Sequence, residues 1–102
     1  MKVILVRDEA SVVKNIQNYL DKIGAWYFNV WGGSAFQDSG VPDIIACYKG
    51  CFIGIEAKDE KGVPSTLQII TGLNIKKAKG KFVIAKDVKS VAKIIKEIDE
   101  RG

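Results

Sequence analysis

Two short stretches of this chain hold residue types that do chemistry together, Gly40-Val41-Pro42-Asp43 and Ile55-Glu56-Ala57-Lys58. Glu56 and Lys58 stand two apart in an apolar run of strand composition, so their side chains leave one face. Lys49-Gly50 separates that run from the one before it and predicts a tight hairpin. With those two as turn residues, Tyr48 faces Cys51, Ala46 faces Ile53, and Asp43 falls opposite Glu56. Opposed Cβ atoms lie ~4.5–5.5 Å apart. Two carboxylates at that distance repel by about 3 kcal/mol at an effective dielectric of about 20, so a counter-charge is required. Lys58 supplies one, and a divalent cation held between the oxygens would supply a larger one. A turn longer or shorter by one residue would send Asp43 to the other face. The alternative is a surface ion pair at a strand end. A bare Glu-x-Lys arises by chance in roughly a third of chains this long, so the weight rests on Pro42-Asp43 at the head of the preceding strand and on the opposed register.

Other chemistries are thinly supplied. The chain has no histidine and two cysteines, Cys47 and Cys51, which removes Ser-His and Cys-His triads, most zinc sites and a disulfide framework. Both cysteines read as buried strand residues. Gly32, Gly33 and Gly40 form no phosphate loop, because no Gly-Lys-Ser/Thr follows. Hydrolysis here would rest on carboxylates and lysines.

The elements that must position these groups follow from periodicity. Val13, Ile16, Leu20 and Ile23 are spaced as one helical stripe, with Asp8 or Ser11 as N-cap, Glu9 in or before the first turn and Gly24 as the stop. Residues 25–31 are aromatic and β-branched and predict a strand, which leads into a long loop through Gly32, Gly33, Ser39, Gly40 and Pro42. Strands are expected over 43–48 and 51–58, apolar on both faces and therefore covered on both sides. Ser65-Thr66-Leu67-Gln68 matches a capping box opening a helix to about Lys79, with Gly80 as its stop. A strand over 82–85 and a last helix opened by Asp87 or Ser90 complete the chain, and the apolar residues 3–6 are a possible strand in front. Helices on both faces of a mixed sheet of about four strands make an α/β (α+β) sandwich.

One hundred and two residues, 47% apolar and 27% charged, suit one compact domain over 1–102 and exclude disorder or two domains of ordinary size. No apolar run approaches the ~18 residues that span a bilayer, and residues 1–7 lack the pattern of a signal peptide, so a cytoplasmic protein without a membrane partner is expected. Residues 1–64 carry seven Lys/Arg against eight Asp/Glu, and residues 65–102 nine against four. That basic second half, Lys76, Lys77, Lys79 and Lys81 above all, fits either a phosphate-facing surface or a solvated lysine face.

Asp43 after Pro42, followed by Glu56-Ala57-Lys58 on the next strand, resembles the PD-(D/E)XK nuclease superfamily. Ser39-Gly40-Val41-Pro42-Asp43, Gly50, Ile55-Glu56-Ala57-Lys58, Gly62, Ser65 and Leu67-Gln68 look most like its small stand-alone virus-type replication-repair nuclease (VRR-NUC) domains of phages and bacteria. The resemblance runs from about Glu9 to Ile95 and implies an αβββαβ(α) core. It implies a DNA endonuclease dependent on Mg²⁺ or Mn²⁺, with Asp43, Glu56 and the Ala57 carbonyl as metal ligands and Lys58 beside the attacking water. Glu9 matches the family's acidic residue on the first helix, and is otherwise an ordinary helix-start carboxylate. Gln68 matches its glutamine, and is otherwise the capping-box partner of Ser65; one amide serving both is not expected. Lys61, Lys76, Lys77, Lys79, Ser39 and Gly40 are the expected DNA contacts, although residues 75–79 are more basic than the family pattern asks for. Branched DNA, a four-way junction in particular, and a homodimer through residues 3–6 and the aromatics near Trp26 and Trp31 complete the expectation. Its competitors are a flap or duplex nuclease, a non-catalytic nucleic-acid-binding module, and an assembly protein whose charged triad is a salt bridge.

Overall fold

The computed structural model describes residues 8–30 and 40–101; the expected front strand over 3–6, and Trp31 and Ser39, lie outside them. Helix α1 (Glu9–Lys22) opens on Asp8, whose carboxylate accepts the Ser11 N–H at 2.7 Å, so Asp8 is the cap. Its buried stripe is Val12, Ile16 and Leu20, with Val13 and Ile23 at the margin. Strand β1 (Trp26–Asn29) is shorter than its aromatic run suggests, and the hairpin of β2 (Ile44–Tyr48) and β3 (Cys51–Ala57) follows. Helix α2 (Thr66–Lys77) crosses to β4 (Lys81–Ala85), and α3 (Val88–Glu100), capped by Asp87, ends the fold.

The sheet order is β1-β2-β3-β4, with the first two pairings antiparallel and β3-β4 parallel. Tyr48 pairs with Cys51 and Ile44 with Ile55, the register that the turn chemistry predicts. Lys49 and Gly50 both have positive φ, 50° and 77°. That is the backbone of a type I′ turn, whose twist matches the strands it joins.

One sheet face forms the core. Ile44, Ala46, Ile53, Ile55 and Ala85 are each 0% exposed there, packed with Ile16, Leu20 and Val91 of α1 and α3. On the other face α2 lies over β3 and β4. It seats there because Gly72 has no side chain, and a Cβ at that position would come within 2.4 Å of the Phe82 ring. The expectation of two fully covered faces holds only for that half. Trp26 and Phe28 on β1 and Phe52 at the start of β3 remain 62%, 57% and 42% exposed. The register puts Cys47 beside Trp26 and Phe52, so it is exposed while Cys51 is buried. The α2 terminus also differs from expectation. Lys79, not Gly80, takes the left-handed conformation (φ 75°), and the N–H groups of Lys79 and Gly80 return to the carbonyls of Lys76 and Ile75. Gly80 is there for space instead, since a Cβ would meet Ile75 at 2.9 Å.

Candidate metal centre

The ends of four elements meet at one end of the two central strands. Asp43 immediately precedes β2, and the Val30 N–H donates to its carbonyl at 2.8 Å, carrying the β1-β2 pairing one step past Asn29. Extending the β2-β3 register by one pair puts Asp43 opposite Glu56. The two are 9% and 1% exposed. Asp43 Oδ2 accepts the backbone N–H of Ala57 at 2.9 Å. Glu9, the first residue of α1, brings a third carboxylate, and one oxygen from each of the three lies within 4.8 Å of the others.

Glu56 uses its two oxygens differently. Oε2 accepts from Gln68 Nε2 at 2.7 Å and pairs with Lys58 Nζ at 3.3 Å, whereas Oε1 is buried with no donor, and the Glu56 carboxyl lies close enough to that of Asp43 to share a proton with it. Gln68 also closes the capping box. Its Oε1 accepts the Ser65 N–H at 2.8 Å and its own N–H reaches Ser65 Oγ at 3.2 Å. The expectation that one amide would not serve both roles fails because they use opposite ends of the group, the oxygen for the cap and the nitrogen for Glu56. Lys58 is held beside its partner by the next loop. Gly62 sits so close to the Lys58 stem that a Cβ would lie 3.2 Å from it, and the Asp59 carboxylate fixes that turn by accepting the N–H groups of Lys61 and Gly62.

Burial first, and then the neighbouring Asp43 charge, push Glu56 up from 4.5 to about 7. Asp43 is raised chiefly by burial, against the opposing pull of the Ala57 N–H. Glu9 is raised by burial and then by Asp43. Three carboxylates that resist ionising together, one with an orphaned buried oxygen, are a donor set of the hard kind that suits a divalent cation. The residues fit such an ion, which Asp43, Glu56 and Glu9 would hold.

The other expected contacts scatter. Lys61 is exposed in the loop after β3, where its backbone N–H donates to Asp59. Gly40 is buried, with φ +82°, and its Cβ position lies 2.6 Å from the Leu67 carbonyl oxygen, so it is packed under the start of α2. Lys76 and Lys77 occupy the last turn of α2 and Lys79 lies just beyond. Lys77 is nine residues past Gln68, about 14 Å along the helix, and the structure does not bring these lysines to the carboxylates. Asn29 is a residue that sequence reasoning missed. Its Oδ1 is buried without a partner, and it lines a groove of about 430 Å³ between α1 and β1 that begins at Glu9 and Asp43. An asparagine ending an aromatic run signals only a turn, so nothing local marks it.

The mixed four-stranded sheet in this helix and strand order, with Asp43 and Glu56 opposed across the hairpin, is the αβββαβ(α) fold class expected from the PD-(D/E)XK resemblance. Within that class, the chain is similar to a solved structure described as a VRR_NUC domain, with a TM-score of 0.69 and 22% sequence identity over 86% of this chain and 94% of that one. No family model and no curated protein matches it.

Proposed function

We propose that this chain is a divalent-metal-dependent DNA endonuclease that hydrolyses phosphodiester bonds in branched DNA, four-way junctions in particular, as a homodimer. The observation that carries the reading is the convergence of Asp43, Glu56 and Glu9 beside Lys58, with Glu56 Oε1 buried and unpartnered. A non-catalytic module has no reason to keep such a costly group of buried carboxylates complete.

Bound there, Mg²⁺ or Mn²⁺ supplies a Lewis acid for the scissile phosphate and a water of lowered pKa. The protein's own residues do the rest. Asp43 and Glu56 fix the charge that selects a dication, with Glu9 and the Ala57 carbonyl completing the donor set. Lys58 carries the positive charge that orients the attacking water and stabilises the negative charge growing on the phosphoryl oxygens in the transition state. Gln68 holds the Glu56 carboxylate so that its other oxygen faces the site. Lys61 and the chain at Gly40 would contact the DNA next to the cut, and Lys76, Lys77 and Lys79 a more distant phosphate run.

Support for the dimer comes from the uncovered half of the sheet. Trp26, Phe28 and Phe52 on that face, with Leu73 61% exposed on α2, form the kind of apolar patch that a second copy buries. Two equivalent sites related by a two-fold axis would match the two cuts that a symmetric junction needs. No helix among the described residues is long and apolar enough to cross a membrane.

The test is incubation with plasmid, linear duplex, flap and four-way DNA in Mg²⁺, Mn²⁺ and EDTA. Paired symmetric nicks on the junction with either ion, and none in EDTA, are expected. Equal cutting of linear duplex or a preference for flaps would replace the junction reading with a general structure-specific nuclease. No cutting with any ion would overturn the enzyme.

A further inference from the structure

The groove between α1 and β1 is not needed to hold a cation, yet it opens on the same carboxylates. Glu9 and Asp43 form its mouth, and it runs along one side of α1 past Val13 and Gln17 to Asp21, with Tyr27 and Asn29 of β1 as the facing wall. Glu9 and Asp21 lie twelve helical steps apart, a length of about 18 Å, the span of a few nucleotides. Its volume of about 430 Å³ is in the range of small-molecule sites, roughly 300–1,000 Å³.

Resting on the nuclease reading, we propose that this groove takes unpaired nucleotides of the cut strand, bases inward, directly beside the scissile phosphate, with Asn29 hydrogen-bonding a base. Charge selects the occupant. With the cation on Glu9 and Asp43, the rest of the groove is lined by Lys14 and Asp21, whose charges balance, and by uncharged side chains, so it offers a phosphate run no net positive charge. A neutral base suits it, with the sugar-phosphate chain at the rim. The Asn29 amide is the second argument, because the residue lines the groove while its Oδ1 is buried behind the wall with no partner, so that a turn of the side chain toward the groove would present it to a base. A base amino group would supply the missing donor and remove a standing desolvation cost. Gln17 and Asn18 add amides that offer a donor and an acceptor to base edges, and the Tyr27 ring offers a stacking surface. A paired duplex presents no free base to these groups, so the groove favours DNA that is open next to the cut.

Two duplexes of one sequence test this, one fully paired and one with a few unpaired nucleotides beside the expected cut. The fluorescent adenine analogue 2-aminopurine is placed at the first unpaired position, and binding is measured in Ca²⁺. The unmodified protein is expected to bind the open substrate more tightly and to quench the probe. Asn29→Leu and Gln17→Leu should each weaken open-substrate binding about tenfold, reduce the quenching and leave paired-duplex binding within about twofold. Equal losses on both substrates, or no loss on either, would overturn the proposal. Should Asn29→Leu fail to fold, as judged by circular dichroism, Gln17→Leu on the helix surface decides alone. The two readings fail separately. Cleavage with unchanged variant binding sinks the groove, and quenching with no cleavage in Mn²⁺ sinks the nuclease.

Discussion

Glu56 Oε1 and Oε2 sit in opposite situations, one without a partner and the other shared by Gln68 and Lys58. If the carboxylates hold the cation, Asp43→Asn or Glu56→Gln should abolish cleavage, at least about a hundredfold on the scale of lost electrostatic stabilisation, while junction binding stays within a few-fold. Lys58→Ala should also be inactive yet still take up Mn²⁺, which calorimetry measures. Normal turnover by either carboxylate variant would rule out the site. A pH dependence follows as well. Glu56 is raised from 4.5 to about 7, and Asp43 and Glu9 are shifted the same way. The metal-free folded chain therefore keeps protons that the unfolded chain releases. The stability tied to them is complete below about pH 4.5 and is lost as pH rises through about 7. In EDTA the melting temperature should fall over that window, Glu56→Gln should flatten the fall, and Mg²⁺ should oppose it at the alkaline end by replacing the protons. A flat profile in EDTA would mean that the carboxylates are better solvated than their burial implies. Gln68 can be divided by a second position. Ser65→Ala removes the cap at about 1 kcal/mol and should spare the rate, whereas Gln68→Ala should lower both melting temperature and rate. Loss of melting temperature alone would reduce Gln68 to a cap.

At the scale of elements, what was legible in the sequence was whatever local chemistry decides. Lys49-Gly50 dictates a type I′ turn, the turn dictates the register, and the register brings Asp43 to Glu56, so the carboxylate pair was readable before any tertiary contact was known. The Asp8 and Ser65 caps are equally local. The placement of α2 was not legible. Its apolar residues fall on all sides, leaving Leu67, Ile69, Ile70 and Leu73 exposed, so no stripe says which face docks or that it covers only half of the sheet. Its C-terminus misled for a related reason. Gly80 looks like the residue with positive φ, but the space beside Ile75 and Phe52 claims it, and Lys79 adopts the unfavourable backbone instead. Lys79→Gly should accordingly stabilise the domain by up to about 1 kcal/mol, the left-handed penalty less the added chain entropy, as denaturant unfolding would show. Gly40→Ala runs the other way. A Cβ there combines strained φ with a 2.6 Å approach to the Leu67 carbonyl, and it should destabilise the domain by more than about 1 kcal/mol while tilting α2, and with it Gln68, away from Glu56. An unchanged melting temperature would show that the start of α2 yields freely.

For the molecule as a whole, the uncovered half of the sheet makes the oligomeric state measurable. Light scattering at micromolar concentration should give twice the 11.2 kDa chain mass, and Trp26→Glu should reduce it to one. A monomeric mass for the unaltered chain would remove the dimer. The interior position of β3 bears on time as well as place. Ile53 to Ala57 are buried, and the strand is paired on both sides, so their amides should exchange with solvent only when the whole domain opens, while those of β1 exchange through fraying at the edge. Glu56 thus rides on the slowest-opening segment of the chain, and Glu9 on a helix end that opens readily. Loss of the cation to EDTA should leave the deuterium uptake of 53–57 unchanged. The emptied carboxylate pocket would then persist between rounds of cutting, ready to refill within the time an ion takes to diffuse rather than the far longer time a sheet takes to re-form.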